Sequence, residues 1–260
     1  MRNKYHSEFG STLEALVYPF LLLSLLWSIF LIEKFYPEEF IQLGILPQHF
    51  SGLKGVFFSP LIHAPKDISH ILNNSFPAAI LTGSLVYFYK RISFQIFSLS
   101  WILSGFMVWA LASDNGNFHI GFSGVIYALA GFLFTSGTIR KYRPLQGISL
   151  FVLFIYGSMI WGIFPLKEGI SWEGHLYGLF IGVVLAFVYR KKGPQAPKYQ
   201  FEIEKEMGIE PPDFEAIWLE NQRLAEERER LEKEANETIQ IIYEYQSKQS
   251  KSNPSEDETN

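Results

Sequence analysis

Six stretches of this chain are too apolar to sit comfortably in water: 15–32, 71–89, 92–112, 120–139, 145–166 and 174–189. A helix needs about 20 apolar residues to cross roughly 30 Å of hydrocarbon. Lipid also forces every backbone polar group to find a partner within the fold, which favours helices. The first, third and fifth stretches meet the length easily. The second carries Asn73, Asn74, Ser75 and Pro77, and the last is short. Arg2 and Lys4 ahead of the first run resemble the start of a secretory signal. That run is too long for one and lacks a small-residue cleavage site, so it reads as a span. The pattern predicts an all-α membrane protein with a six-helix body over 1–192.

Charge divides the chain in two. Residues 1–190 hold 12 Lys/Arg against 9 Asp/Glu, while residues 191–260 hold 10 against 17. A nearly neutral apolar body is followed by an acidic tail, which argues against nucleic-acid binding. Within the body, Lys90 and Arg91 follow the second span. Arg140, Lys141 and Arg143 follow the fourth, and Arg190, Lys191 and Lys192 follow the sixth. The opposite short loops, 113–119 and 167–173, are poor in positive charge. Basic loops stay cytoplasmic, so both termini are expected in the cytoplasm, with a bacterial inner membrane as the location. Spans two, four and six then enter from outside.

The tail opens on a Pro/Gly-rich linker, 193–212. Asp213 is the expected N-cap of a charged helix over 213–247, where Glu226/Arg230 and Glu229/Lys233 stand at i,i+4 spacing. Ile217, Leu224 and Leu231 recur every seven residues, which suits a cytosolic partner or self-association. Thr238 breaks the series, and a solvated helix fits as well. Residues 248–260 are expected to be disordered.

Polar residues inside apolar spans call for a reason. His70 and Asn74 stand at i,i+4 and share one face of the second span. Ser123 opens the fourth, with Tyr127 one turn deeper, and His175 opens the sixth. With the orientation above, these groups fall in one thin slab near the outer face. A serine becomes a nucleophile beside a neutral imidazole. Asn and His N–H groups and the serine backbone N–H suit the oxyanion of acyl transfer. No carboxylate lies in these three spans to orient the base, and Tyr127 is the candidate to hold the ring by stacking. Gly121, Gly124, Ala128 and Gly131 on the fourth span, with Gly178 and Gly182 on the sixth, allow close helix approach.

Each element alone has a bland reading. Gly-x-Ser-Gly in a membrane helix is usually packing, and a histidine opening a span is usually interfacial. His63 and His119 are read as interfacial. The six histidines form no metal-ligand pattern, the chain has no cysteine, and neither metal nor cofactor is expected.

Taken together, Gly121-Phe122-Ser123-Gly124-Val125-Ile126-Tyr127-Ala128, His175-x-x-Gly178-x-x-x-Gly182 and His70-x-x-x-Asn74 resemble the rhomboid family of intramembrane serine proteases. The resemblance covers roughly 1–192, although the Trp-Arg pair common in the family's first outer loop is absent. It implies a six-helix bundle with a water-filled cavity that cleaves peptide bonds in or near the transmembrane segments of other membrane proteins. By family position Ser123 is the nucleophile and His175 the base. Asn74, His70 and the Ser123 backbone N–H form the oxyanion hole, Gly121 shapes the turn and Tyr127 supports His175. The alternative is a catalytically silent rhomboid-like protein that binds or retains membrane clients. A small transporter would need paired ionisable groups through the full depth of the membrane, and the inner halves of the spans carry none.

Overall fold

The computed structural model describes residues 10–66, 68–140, 143–155, 161–166, 171–193, 200–209, 212–238 and 243–246. The chain divides into two compact units, Met1–Pro197 and Lys198–Asn260. Among the described residues all regular structure is helical, apart from one isolated antiparallel bridge between Ile45 and His119.

In the first unit α1 (Thr12–Glu33) is followed by α2 (Pro37–Ile41), a 3-10 turn at Phe50–Gly52, α3 (Gly55–Phe58) and a second 3-10 turn at Ser59–Leu61. Then come α4 (Ile68–Phe88), α5 (Ser93–Leu111), α6 (Ser123–Ile139), α7 (Arg143–Ile155) and α8 (Trp172–Val188). A capping box starts α1. Ser11 Oγ accepts the Glu14 N–H at 3.1 Å, and the Glu14 carboxylate accepts the Ser11 N–H at 2.8 Å. Glu14 also pairs with Lys90 at 2.9 Å, and Gly10 donates its N–H to Tyr87 O at 2.7 Å, which ties the start of α1 to the end of α4.

The centre of the unit is α6, which touches α4, α5, α7 and α8. Every residue from Val125 to Leu133 is buried, and a helix buried all round must be apolar all round. Its approach to α8 is unusually close. A Cβ on Gly178 would lie 2.2 Å from Gly124 O, and one on Gly182 would lie 2.0 Å from Ala128 O. Helix packing in lipid gains little from hydrophobic burial and depends on such small-residue contacts. At the rim, α1 exposes Leu13, Leu16, Phe20 and Leu31, a surface suited to hydrocarbon.

Two helices, α1 and α5, are long and apolar enough to cross a membrane, and α6 and α8 are shorter apolar helices of 17 residues each. The fourth expected span, 120–139, loses its first residues because Gly121 has φ +106 and cannot continue a helix. The second, expected from 71, is already helical at Ile68, so His70 sits within the first turn. The fifth, expected to run unbroken over 145–166, is helical over Arg143–Ile155 and ends in turns over 162–166; part of it lies outside the described residues.

Arg140, expected as a cytoplasmic loop charge, is only 5 % exposed. Its guanidinium donates to Ser136 and to the carbonyls of Tyr189 and Lys192, and it lies 5.4 Å over the Tyr89 ring. Carbonyls left open at helix ends favour a cation there, and the result is a polar knot joining the ends of α6 and α8.

In the second unit the expected linker 193–212 contains a helix, α9 (Gln200–Glu206), and the charged helix α10 runs Phe214–Thr238. Asp213 Oδ1 accepts the Ala216 N–H at 3.0 Å. Lys233 pairs with Glu229 at 2.9 Å, and Arg230 reaches forward to Glu234 at 3.7 Å. The helix stops short of 247, since residues 243–246 are irregular. Residues 248–260 lie outside the described residues. Ile217, Leu224 and Leu231 are all exposed on α10.

The α6–α8 contact has a direct test. Gly182→Leu must push backbone away from backbone, so it should destabilise the unit by about 1–3 kcal/mol. The measurement is thermal unfolding of the purified protein in detergent. An unchanged midpoint would refute the close approach.

Candidate active site

Three helix starts and one loop converge at one end of α6. Gly121 and Phe122 set the entry. Gly121 donates its N–H to Ser59 O at 2.9 Å and turns with positive φ, a conformation open to glycine at little cost. Phe122 is fully buried against Trp101 and Phe97. That anchor delivers Ser123 as the first helical residue, where the backbone N–H groups have no partner inside the helix.

Opposite stands α8, capped by Ser171, whose Oγ accepts the Gly174 N–H at 3.3 Å. His175 occupies the first turn, with Nε2 2.7 Å from Ser123 Oγ. Its Nδ1 lies 2.8 Å from Gly162 O. A carbonyl oxygen only accepts, so Nδ1 carries the proton and Nε2 presents a lone pair to the serine hydroxyl. The Tyr127 ring stacks on the imidazole, with centroids 4.3 Å apart and planes 11° from parallel. The third member of the array is therefore a main-chain carbonyl.

Glu173, the nearest carboxylate along α8, serves elsewhere: it accepts from the N–H and the hydroxyl of Ser113, both at 2.9 Å.

His70 and Asn74 arrive from α4. A Cβ on Gly121 would lie 2.5 Å from His70 Nε2 and 3.7 Å from Asn74 Nδ2, so both side chains converge on the turn before Ser123. Asn74 is buried, and its Nδ2 has no hydrogen-bond partner; the neighbouring Asn73 is exposed. A buried amide without a partner costs free energy. An oxygen gaining negative charge nearby would recover that cost. Gly178 and Gly182 bring no functional side chain to this cluster and act through the α6–α8 contact.

Two histidines read as interfacial are instead built into the site's surroundings. His63 is wholly inaccessible. Its ring meets that of His70 edge-on at 5.1 Å, and its Nε2 faces the Phe122 N–H at 3.4 Å. Glu33, counted among the loop acids, is also fully buried, and its carboxylate accepts the His63 N–H at 3.1 and 3.2 Å. His119 exchanges both backbone hydrogen bonds with Ile45, at 2.9 and 2.8 Å. Its Nδ1 lies 2.5 Å from Ser171 Oγ, and burial holds its pKa below the ordinary value against the opposing charge of Glu173. The sequence offered one signal for His63, its position one loop ahead of His70. None could reveal Gly162, which acts through its main chain. A cavity of about 30 Å³ lies beside Ser123, bordered by Gly121, His119, Ser104 and Ser171 among others. Among the described residues, no group of three or more His, Cys, Asp or Glu could hold a metal ion.

The comparisons point one way. The family described as Rhomboid domain matches residues 51–192. An uncharacterized protein of Mycobacterium tuberculosis is 34 % identical over 174 residues, covering 64 % of this chain and 71 % of that protein. An uncharacterized protein of Mycobacterium leprae is 30 % identical over 198 residues, covering 73 % and 75 % respectively.

The buried loop histidine gives a pH prediction. Burial first, and the charge of His70 second, push His63 from its ordinary 6.5 down to about 3. Between those values the unfolded chain binds the proton and the fold refuses it. The contribution of His63 to stability should therefore fall as pH drops from 6.5 towards 3. Across that window, unfolding midpoints should decline more steeply with falling pH in the wild type than in His63→Gln; an equal slope in both proteins would contradict the assignment.

Proposed function

The chain belongs to the rhomboid family, and from that premise we propose that it is an intramembrane serine endopeptidase with a Ser123–His175 dyad. The family is membrane-embedded, consists generally of serine intramembrane proteases and acts on transmembrane substrates in the bilayer. The observation that carries the reading for this chain is the 2.7 Å contact of Ser123 Oγ with an imidazole nitrogen whose partner nitrogen is held by Gly162 O.

In the proposed mechanism His175 Nε2 takes the Ser123 hydroxyl proton as Oγ attacks the scissile carbonyl. The oxyanion gathers N–H groups from Asn74 and Ser123, with His70 beside them. Protonated His175 then gives its proton to the leaving amine, and the acyl group stays on Ser123. Water, activated by the same imidazole, attacks the ester and restores the serine. Tyr127 keeps the ring in plane throughout.

The topology belongs to the same proposal. The membrane body is 1–192, with six crossings by α1, α4, α5, α6, α7 and α8. Both termini are cytoplasmic, in a bacterial inner membrane. The basic loops after spans two, four and six support that orientation. The exposed Ile217, Leu224 and Leu231 on α10 favour a role in docking a cytosolic partner or a second copy. Loss of residues 196–260 should then change the oligomeric state or the co-purifying partners.

Fluorophosphonate labelling of the full chain in detergent should require both Ser123 and His175. Labelling retained in Ser123→Ala would exclude the dyad. Cleavage of single-span substrates should drop by about 10²–10³ in Asn74→Ala and vanish in Ser123→Ala. A cellular effect that survives Ser123→Ala would favour a silent, client-binding protein instead.

A further inference from the structure

We infer that α10 pairs with the α10 of a second copy of this chain as a parallel two-stranded coiled coil, closed along Ile217, Leu224 and Leu231 and set in register by Asn221. This rests on the docking role proposed above for α10 and commits it to one occupant.

The register follows from the spacing. Ile217, Leu224, Leu231 and Thr238 recur every seven residues, and a coiled coil needs a second row three or four residues away on the same face. A row three residues after each of the first three would bring Glu220, Glu227 and Glu234 into the seam. A row three residues before gives Phe214, Asn221, Arg228 and Ala235, with no acid among them. The seam alternates these with Ile217, Leu224 and Leu231, all exposed on α10. The outward face holds Gln222, Glu226, Glu229, Arg230 and Lys233, with Leu219 as its large apolar exception.

Two polar residues on the seam point to an identical partner. An Asn side chain donates and accepts at once, so Asn221 is satisfied by the same residue of an aligned second strand. A single Asn in this row fixes register and strand number at some loss of stability. Arg228 is the second. Arg223, Arg230 and Lys233 each pair with a glutamate of their own helix, at 3.0, 3.7 and 2.9 Å, whereas no ion pair engages Arg228 among the described residues. In a parallel pair, a side chain in this row lies beside the residue just before its counterpart. Arg228 of each copy therefore meets Glu227 of the other. Antiparallel strands would set the row of Glu220, Glu227 and Glu234 against its own copy, like charge against like. A basic strand of another protein would answer the acids and leave Asn221 and Arg228 without counterparts. At 25 residues the seam is short. Two chains held in one bilayer supply the effective concentration that a short seam needs.

The chain has no cysteine, so Glu226→Cys on the outward face takes a single fluorophore. Full-length protein labelled with donor or with acceptor is mixed in lipid vesicles. Energy transfer above that of randomly dispersed labels is expected, with two bleaching steps per assembly. Leu224→Glu with Leu231→Glu, added to that background, should raise the protein density for half-maximal transfer by about 100-fold. Asn221→Leu, which favours the helix and so cannot act by unfolding it, should strengthen transfer and admit assemblies larger than two. Random transfer without the seam substitutions, or transfer unmoved by the two glutamates or by Asn221→Leu, overturns the inference. If loss of 196–260 then still changes the co-purifying partners, the docking role stands with a different occupant; if it changes nothing, both fall.

Discussion

The distance between α6 and α8 governs the rest of the structure. Ser123 and His175 stand on different helices, 52 residues apart in sequence, and their 2.7 Å contact goes with main chain touching main chain right beside Ser123 and again a turn deeper. Gly178 against Gly124 O and Gly182 against Ala128 O bring the axes closer than any side chain would permit. In water such a seam would be helped by burial of apolar surface. In lipid that help is nearly absent, so the fit of the two backbones has to hold the pair. The proposed chemistry at the helix starts thus depends on glycines that bring no functional side chain to it.

Other fixings keep that seam from slipping. Towards the ends of α6 and α8, Arg140 binds Ser136 and the carbonyls after α8, under the Tyr89 ring. At the opposite end the long connection after α1 is locked from beneath. Glu33 holds the His63 backbone, His63 braces the His70 ring, and the Ile45–His119 bridge joins the connection to the turn before α6. Buried charge is expensive unless it is paired or hydrogen-bonded. Both Glu33 and Arg140 meet that condition with main-chain partners, which makes them connectors between segments.

Much of the site was legible in advance because its parts are side chains at helix starts. Ser123, His175, His70 and Asn74 are polar residues in apolar surroundings, a contrast that hydropathy reveals directly. Gly121 and Tyr127 are the neighbours that local geometry demands. The helices around them were legible for the same reason, to within a few residues at their ends. What stayed hidden has a different physical origin. Gly162 contributes an atom that every residue has, so its identity carries no signal. Glu33, His63, His119 and Arg140 looked like surface or interface residues because their burial is decided by how connections fold back on the helices. Periodicity along one segment does not report that. The helix at Gln200–Glu206 lay within a stretch whose prolines and glycines masked a short run of helix formers.

The Gly162 carbonyl has a consequence of its own. Where a carboxylate aims a catalytic histidine, one point mutation disarms the enzyme by deleting the aiming group. Here the aiming group is part of the polypeptide itself and survives every substitution at residue 162. On the proposed dyad, what disturbs the aim of His175 from this side is a movement of the bend that carries that oxygen. On that proposal, control over proton transfer passes from the chemistry of a side chain to the position of a stretch of backbone.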